Sequence, residues 1–209
     1  MNEYLESRKL KCLDGLHYSF EIMKLNYIDL YDRCIQIQEN QENIIRVLSQ
    51  CWLIVDMIHR VREISQSIPS LNKKNNELQE FIFQTKSIED CRHYIQHLRE
   101  ELSKSPPSLF PVWGSLSWVD PNDSSNCFIA VFGAINKGIN YSSCVYDNLE
   151  KRWVSKVTLG VENLSLNFDP LYESAIKFKD FIIPWLIENS SVNLKIKKEI
   201  PIFSVKFIV

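Results

Sequence analysis

The chain has 209 residues, 45% of them hydrophobic and 24% charged, which is the composition of a globular protein with one sizeable core. Its 24 basic and 26 acidic side chains leave a formal net charge of −2, so bulk electrostatic attraction does not bind it to nucleic acid. Only five glycines are present, which argues against a glycine-rich nucleotide cradle. Any contact with RNA or DNA must come from a local cluster of side chains.

The cysteine pattern and the start of the chain are typical of a cytoplasmic protein. Six cysteines are scattered along the sequence without a C-x-x-C pair, which fits reduced thiols better than a disulfide framework or a zinc site. Residues 1–9 are charged and lack the apolar segment of a signal peptide. The densest apolar run, at 51–55, is too short to span a bilayer, so we expect no membrane segment.

Residues 1–105 have the pattern of an antiparallel helical bundle. Apolar side chains recur at helical spacing over 2–37, and a polar stretch at 36–43 separates this helix from the next. Residues 44–64 are apolar on nearly every side, which is typical of the central helix of a bundle. Two further helices are predicted at 77–83 and 87–103.

The last of these helices is expected to begin at a capping box, in which Ser87 caps the helix and Asp90 stands three residues later. The sequence Ser-Pro-Pro-Ser at 105–108 then breaks the helical pattern. Aromatic and β-branched residues follow, separated by Asn, Asp, Ser and Gly, which form turns. They predict strands at 116–119, 127–135, 143–146, 153–159 and 161–168.

The remaining residues predict one more helix and an extended end. A helix is expected at 169–189, kinked at Pro184, and an extended region at 192–209. The predicted fold class is α+β, with an N-terminal antiparallel helical bundle, then a small antiparallel β-sheet and one further helix in the C-terminal half. The corresponding domains are 1–105 and 106–209, and the helix of the second is expected to pack on the bundle.

Segment 92–97 (sequence RHYIQH), within the last helix of the bundle, carries the main functional signal. Arginine can clamp a phosphate through its fixed donor fork, and histidine exchanges protons near neutral pH. The segment resembles the catalytic motif of the HEPN superfamily, helical-bundle ribonucleases of many prokaryotic toxin and anti-phage systems. In that motif an arginine is followed, after four to six residues, by a histidine. Arg92 and His97 have four residues between them, and His93 fills the polar position after the arginine.

The resemblance implies a metal-independent endoribonuclease of a bacterial defence or toxin–antitoxin system, without a cofactor. Enzymes of this family use the 2′-hydroxyl of the RNA as nucleophile. By position, His97 is then the general acid/base, Arg92 stabilises charge on the phosphate, and His93 is a supporting polar group. The implied partners are an RNA substrate, a second copy of the chain, and an antitoxin or other protein. The likeness covers about residues 1–105 and leaves the sheet unexplained.

Helix geometry makes the homodimer a necessary part of this interpretation. Five residues of helix turn through about 500°, so Arg92 and His97 lie about 140° apart around a straight helix. Members of the resembled family typically complete the site across a dimer interface. The residues expected to extend the substrate-binding surface are Arg60 and His59 on the central helix, and Arg99 after the motif.

Two other interpretations of the motif stay open. The arginine can pair with Glu89 or Asp56 while both histidines are solvated, and the chain is then a non-catalytic protein–protein interaction module that keeps the bundle. The two histidines and Glu100 also share one helix face, with spacing suitable for a metal ion. A zinc site would need a further ligand, and His59 and His17 are the other imidazoles.

Other charged and aromatic residues also have two interpretations. Asp56 and Arg60 are four residues apart and predict an intrahelical ion pair where the central helix leaves the core, or an extension of the motif's site. Trp113 and Trp118 can stack bases or a peptide, although burial between sheet and bundle is the commoner role of such aromatics.

Overall fold

The computed structural model describes residues 2–37, 41–106, 108–191, 202 and 204, and within these ranges the fold is α+β, as predicted. Helices form the N-terminal half, a small antiparallel sheet follows, and a long helix comes after the sheet. The extended region expected at 192–209 lies outside the described residues, except for two isolated positions. No helix in these ranges is both long and apolar enough to cross a membrane.

Two long helices, α1 (Asn2–Ile28) and α3 (Ile44–Gln66), pack along each other at the centre of the bundle. Most apolar residues of α3 are buried, as expected for a central helix, but Ile45 and Leu53 are exposed, so the helix is not buried on nearly every side as its sequence predicted. The single helix expected at 2–37 is interrupted at Asp29. The other helices are α2 (Leu30–Ile37), α4 (Asn76–Gln84), α5 (Lys86–Gln96), α6 (Leu98–Leu102) and α7 (Phe168–Glu188), and a 3-10 turn occupies Gln41–Asn43.

The capping box predicted at Ser87 is wrong, because a single residue separates α4 from α5. That residue is Thr85, which follows the end of α4 and directly precedes α5. Its buried hydroxyl donates to the Phe81 carbonyl at 2.6 Å, and Ser87 lies inside α5. The helix that does have a side-chain cap here is α4, where Asn75 accepts from the Leu78 N–H at 2.9 Å.

Four antiparallel strands make the main sheet: β1 (Ser115–Val119), β2 (Cys127–Val131), β5 (Val157–Val161) and β6 (Leu164–Asn167). Their order across the sheet is β2-β1-β5-β6. Two short strands, β3 (Tyr146–Asp147) and β4 (Arg152–Trp153), form a separate hairpin. The strand predicted at 153–159 is therefore divided, and Ser155 lies in the gap, where its hydroxyl donates to the Val157 carbonyl at 2.7 Å.

The register gives the main sheet one apolar face and one hydroxyl-bearing face. Leu116 of β1 pairs with Leu159 of β5, and both belong to the same hydrophobic core as the helices. Ser117 pairs with Thr158 on the opposite face. Residues 141–144 cross that face and hydrogen-bond to both hydroxyls. Because both faces are covered, every residue of β1 and β5 is buried.

The late helix α7 packs back on the bundle through α1 and α4, as predicted. Phe178 stacks on Phe81 of α4, with ring centroids 4.4 Å apart. Lys179 binds Glu21 of α1 at 2.8 Å. Pro184 lies inside α7, where it removes one backbone donor.

A buried charged contact joins the start of α1 to the residues after α7. Lys9 donates to Glu6 at 3.0 Å and to the Asn189 carbonyl at 2.6 Å. Glu6 also accepts bonds from the Ser190 hydroxyl and the Ser191 N–H. The hydrogen bond from Ser190, followed by that from Lys9, lowers the pKa of Glu6 to about 2.

We expect this contact to make stability depend on pH in the acid range. The folded pKa of Glu6 lies below the ordinary value of 4.5, so the contribution is complete above pH 4.5 and is lost as the pH falls through about 2. The difference in unfolding free energy between wild type and Glu6→Gln should shrink across this window. Urea titrations at several pH values measure it, with the exposed Glu3→Gln as control. A constant difference across the window would contradict the assignment.

Gly114, the residue before β1, lies so close to β5 that a side chain at this position would collide with the backbone of that strand. Its φ is +90°, and a Cβ placed there would lie 2.2 Å from the Gly160 carbonyl oxygen. Gly138 has a φ of +86° with open space around it, so it is a matched control for backbone strain alone.

Gly114→Ala should therefore lower the free energy of unfolding by about 2 kcal/mol more than Gly138→Ala does. Chemical denaturation of the two variants measures the difference. If both variants lost the same free energy of unfolding, the collision with Gly160 would not destabilise the protein, and the backbone conformation alone would explain the loss.

Candidate functional site

Segment 92–97 spans the C-terminal end of α5, which packs against α3. Arg92 lines an open groove of about 680 Å³, formed by α3, α5 and the loop before β1, and named here the α3–α5 groove. Arg92 and Asp56 are its charged lining residues. The others are Ile45, Leu48, Ser49, Trp52, Leu53, Ile95 and Trp113.

Arg92 is held in the groove by Asp56 but keeps a donor free. Its Nη2 lies 3.4 Å from Asp56 Oδ1, whereas Asp56 Oδ2 accepts a shorter bond from Arg60 Nε, at 2.8 Å. Two arginines thus share one carboxylate, and Arg92 has the longer contact. The Arg92 Nε–H is buried and has no hydrogen-bond partner among the described residues. Because a guanidinium carries five N–H donors in a fixed fork, Arg92 retains the capacity to bind an acceptor in the groove.

Two tryptophans from distant parts of the chain form an aromatic wall of the groove. Trp52 of α3 and Trp113 of the loop before β1 meet edge to face, with ring centroids 6.0 Å apart. The Trp52 Nε1–H is buried and also lacks a partner within the described ranges. Trp113 is 50% exposed and Trp118 only 4%. The expected burial is therefore confirmed for Trp118 and wrong for Trp113.

The two histidines of the motif, exposed His93 and half-buried His97, form a pair at the end of α5. The helix expected to run from 87 to 103 is broken at His97, which lies between α5 and α6 and donates its N–H to the His93 carbonyl at 3.0 Å. The two imidazole rings are in contact, with centroids 4.4 Å apart. His97 Nδ1 also lies 3.4 Å from Glu100 Oε2. A carboxylate at this position can orient the ring for proton transfer.

The structure does not bring Arg92 and the histidines into one cavity. Neither His93 nor His97 lines the α3–α5 groove. Successive helical residues are about 100° apart, so His93 projects from a different side of α5 than Arg92. Arg92 and His93 lie in the last turns of α5, and His97 directly follows that helix.

The other residues expected at the site do not line the groove. Arg60 is exposed and bound to Asp56, which is the ion pair predicted from their spacing. Arg99 is exposed on α6. His59 is half-buried on α3, and its Nδ1 has no partner among the described residues.

The metal interpretation of the histidines finds no matching geometry. Within the part of the chain that the structure describes, which includes all four histidines, no three His, Cys, Asp or Glu side chains are placed to hold a metal ion. The interpretation assumed one continuous helix face, and α5 ends at Gln96.

Trp52 is the groove residue that sequence reasoning missed, since it counted only as part of the apolar α3. It stands four residues before Asp56, and helix geometry places residues at this spacing on one face. A tryptophan beside a carboxylate on an otherwise apolar helix was the available signal. Trp113 reaches the groove only through the tertiary fold, so no local pattern could have indicated it.

The position of α5 is fixed by the buried guanidinium of Arg62 on α3, which is 3% exposed. Its Nη1 donates to the Ile82 carbonyl and to the Thr85 hydroxyl, both at 2.7 Å. Its Nε donates to Glu89 at 3.2 Å, and its Nη2 binds the same carboxylate. Hydrogen bonding to Arg62 is the main cause that lowers the pKa of Glu89. One side chain of α3 thus binds the end of α4, the residue between the helices, and α5.

We expect Arg62→Ala to cost about 2–4 kcal/mol of unfolding free energy, because it leaves buried acceptors without a donor. Arg60→Ala is a matched control on the same helix, since Arg60 is exposed in an i, i+4 pair and should cost less than about 1 kcal/mol. Thermal or urea unfolding measures both. Similar small losses in the two variants would show that Arg62 does not hold α5 in place.

Comparisons with known proteins assign no family to the chain. No family model matches it, and no curated protein or solved structure matches it. The resemblance to the HEPN superfamily therefore rests on the residues at the end of α5 and on the helical architecture around them. The function has to be argued from the chemistry of the α3–α5 groove and the neighbouring histidines.

Proposed function

We propose that this chain is a HEPN-like RNA-binding protein that acts as a metal-independent endoribonuclease, of the bacterial defence or toxin–antitoxin type. One observation carries the proposal: Arg92 and Trp52 both line one aromatic groove, and each carries a buried N–H donor without a partner among the described residues. Buried donors are usually paired, so two such donors on lining residues of one groove point to an acceptor-bearing ligand. We also propose that the protein is cytoplasmic, because its six cysteines are all free thiols.

Single-stranded RNA has the chemistry that such a groove selects. Its bases stack on aromatic side chains, which Trp113 offers at the surface. Its phosphates and base carbonyls are acceptors for the guanidinium fork of Arg92. The net charge of −2 makes such a local site necessary, because the chain as a whole does not attract a polyanion.

The adjacent histidines supply the acid–base chemistry for cleavage. One imidazole takes the proton of the 2′-hydroxyl as that oxygen attacks the phosphorus, and an imidazolium gives a proton to the departing 5′-oxygen. His97, whose Nδ1 lies 3.4 Å from Glu100, is the principal candidate, with His93 against its ring. Because Arg92 lies in the groove and the histidines outside it, a second copy of the chain is proposed to complete the cleft.

A fluorescent single-stranded RNA and the same sequence as DNA test the proposal. Arg92→Ala and Trp113→Ala should weaken RNA binding about tenfold or more, as measured by fluorescence anisotropy. His97→Ala should abolish cleavage on gels while leaving RNA binding within about twofold, because His97 lies outside the groove. The DNA should bind without being cut, because it lacks the 2′-hydroxyl. Cleavage should continue in a metal chelator.

Two matched variants control for general effects on the protein. Arg33→Ala removes an ion-paired arginine that does not line the groove, and His17→Ala removes a histidine on α1. Both should bind and cut RNA like the wild type. Cleavage retained by folded His97→Ala would contradict the enzymatic claim, and a strict monomer in light scattering would contradict the completed cleft.

A second function is favoured by one property of the same groove, its exposed apolar lining. Ile45 is 60% exposed and Leu53 37%, beside the half-exposed Trp113. Such a surface suits the apolar side of a protein partner in a non-catalytic interaction module. In that case the labelled RNA stays unbound and intact with the wild-type protein, which separates the two functions in the first measurement.

A further inference from the structure

Two cysteines meet on the hydroxyl-bearing face of the sheet, away from the α3–α5 groove. Cys127 is the first residue of β2 and pairs with Val119 of β1. Cys144 belongs to residues 141–144, named here the covering segment, which crosses this face. Both thiols are only partly buried.

The covering segment is anchored along its length, so the position of Cys144 is fixed. The Tyr141 carbonyl accepts a bond from the Ser115 hydroxyl at 2.7 Å. Cys144 Sγ lies 3.7 Å from the Thr158 hydroxyl of β5. These contacts hold the segment against both central strands, β1 and β5.

The same segment brings the two thiols together. Ser142 Oγ lies 3.8 Å from Cys127 Sγ, two residues before Cys144. The Cys127 thiol is close enough to contribute to the raised pKa of Cys144. Cys34 and Cys51, by contrast, are each fully buried within the helices. A reagent in solution therefore has access to the first pair and not to the second.

We propose that Cys127 and Cys144 form a dithiol site that small-molecule disulfides, such as oxidised glutathione, convert to an intramolecular disulfide. The inference does not depend on the proposed ribonuclease function. It adds a modification site in the half of the chain that the resemblance left unexplained.

The exchange takes place in two balanced steps. The Cys127 thiolate attacks one sulfur of the disulfide reagent, whose S–S bond breaks and releases one thiol after protonation. Cys144 then loses its proton, attacks the Cys127 sulfur of the mixed disulfide, and releases the second thiol. Two protein thiols are oxidised and one reagent disulfide is reduced to two thiols. Burial raises the pKa of Cys144 to about 12, so little of its thiolate is present at neutral pH, and Cys144 is assigned the second step.

To test this proposal, the full chain is treated with oxidised glutathione, the reaction is stopped with an alkylating reagent, and the intact mass is measured without reduction. The wild type should lose two hydrogen atoms, and peptide mapping should place the new bond between Cys127 and Cys144. Cys144→Ser should instead keep one glutathione on Cys127, because no second thiol is present to release it. Cys34→Ser is the matched control and should form the internal bond like the wild type.

Three results would overturn the proposal. They are a wild-type protein that retains glutathione without an internal bond, an internal bond that maps to other cysteines, and a wild-type protein that stays fully reduced at reagent concentrations that oxidise a model dithiol. The wild-type measurement needs no variant, so it stands even where a serine substitution impairs folding.

Discussion

The buried guanidinium of Arg62 determines where α5 lies, and the proposed site depends on the position of α5. Its donors reach the last turn of α4, Thr85 and Glu89. An arginine this deep in a protein is stable only when its donors are paired, so the two helices and the residue between them are constrained together. Arg92 and Ile95 of α5 then meet Trp52 and Asp56 of α3, which creates the groove.

Asp56 competes with any anion that binds to Arg92 in the groove. It faces Arg92 at 3.4 Å and Arg60 at 2.8 Å. A phosphate that takes Arg92 from Asp56 does not leave this carboxylate unpaired, because Arg60 continues to neutralise it. The cost of releasing Arg92 is therefore smaller than for an isolated buried pair, where an uncompensated charge would remain. Two arginines on one carboxylate leave a net positive charge, and Arg92 is the one available for exchange.

Local patterns in the sequence predicted the fold class and the main helices, whereas contacts between distant parts of the chain could not be predicted from it. The apolar α3, the α+β class and the return of α7 follow from periodicity and composition, and the structure has all three. The boundary between α4 and α5 lies at Thr85, which binds Arg62 of α3, a contact that sequence spacing does not encode. The division at His97 was not indicated by the sequence either. The exposure of Trp113 and the meeting of Cys127 with Cys144 depend on loops that cross the sheet.

The contact between the start of α1 and the end of α7 has a consequence for biosynthesis. Glu6 is made before its partner Ser191, which follows 185 residues later along the chain. α1 also packs on α7, so the bundle lacks part of its core until α7 has been made. Contacts of such long sequence separation slow folding and leave apolar surface uncovered during synthesis. The nascent chain therefore cannot cover the α7-facing side of α1 until α7 has been translated. Chaperones have most opportunity to act on α1 before that point.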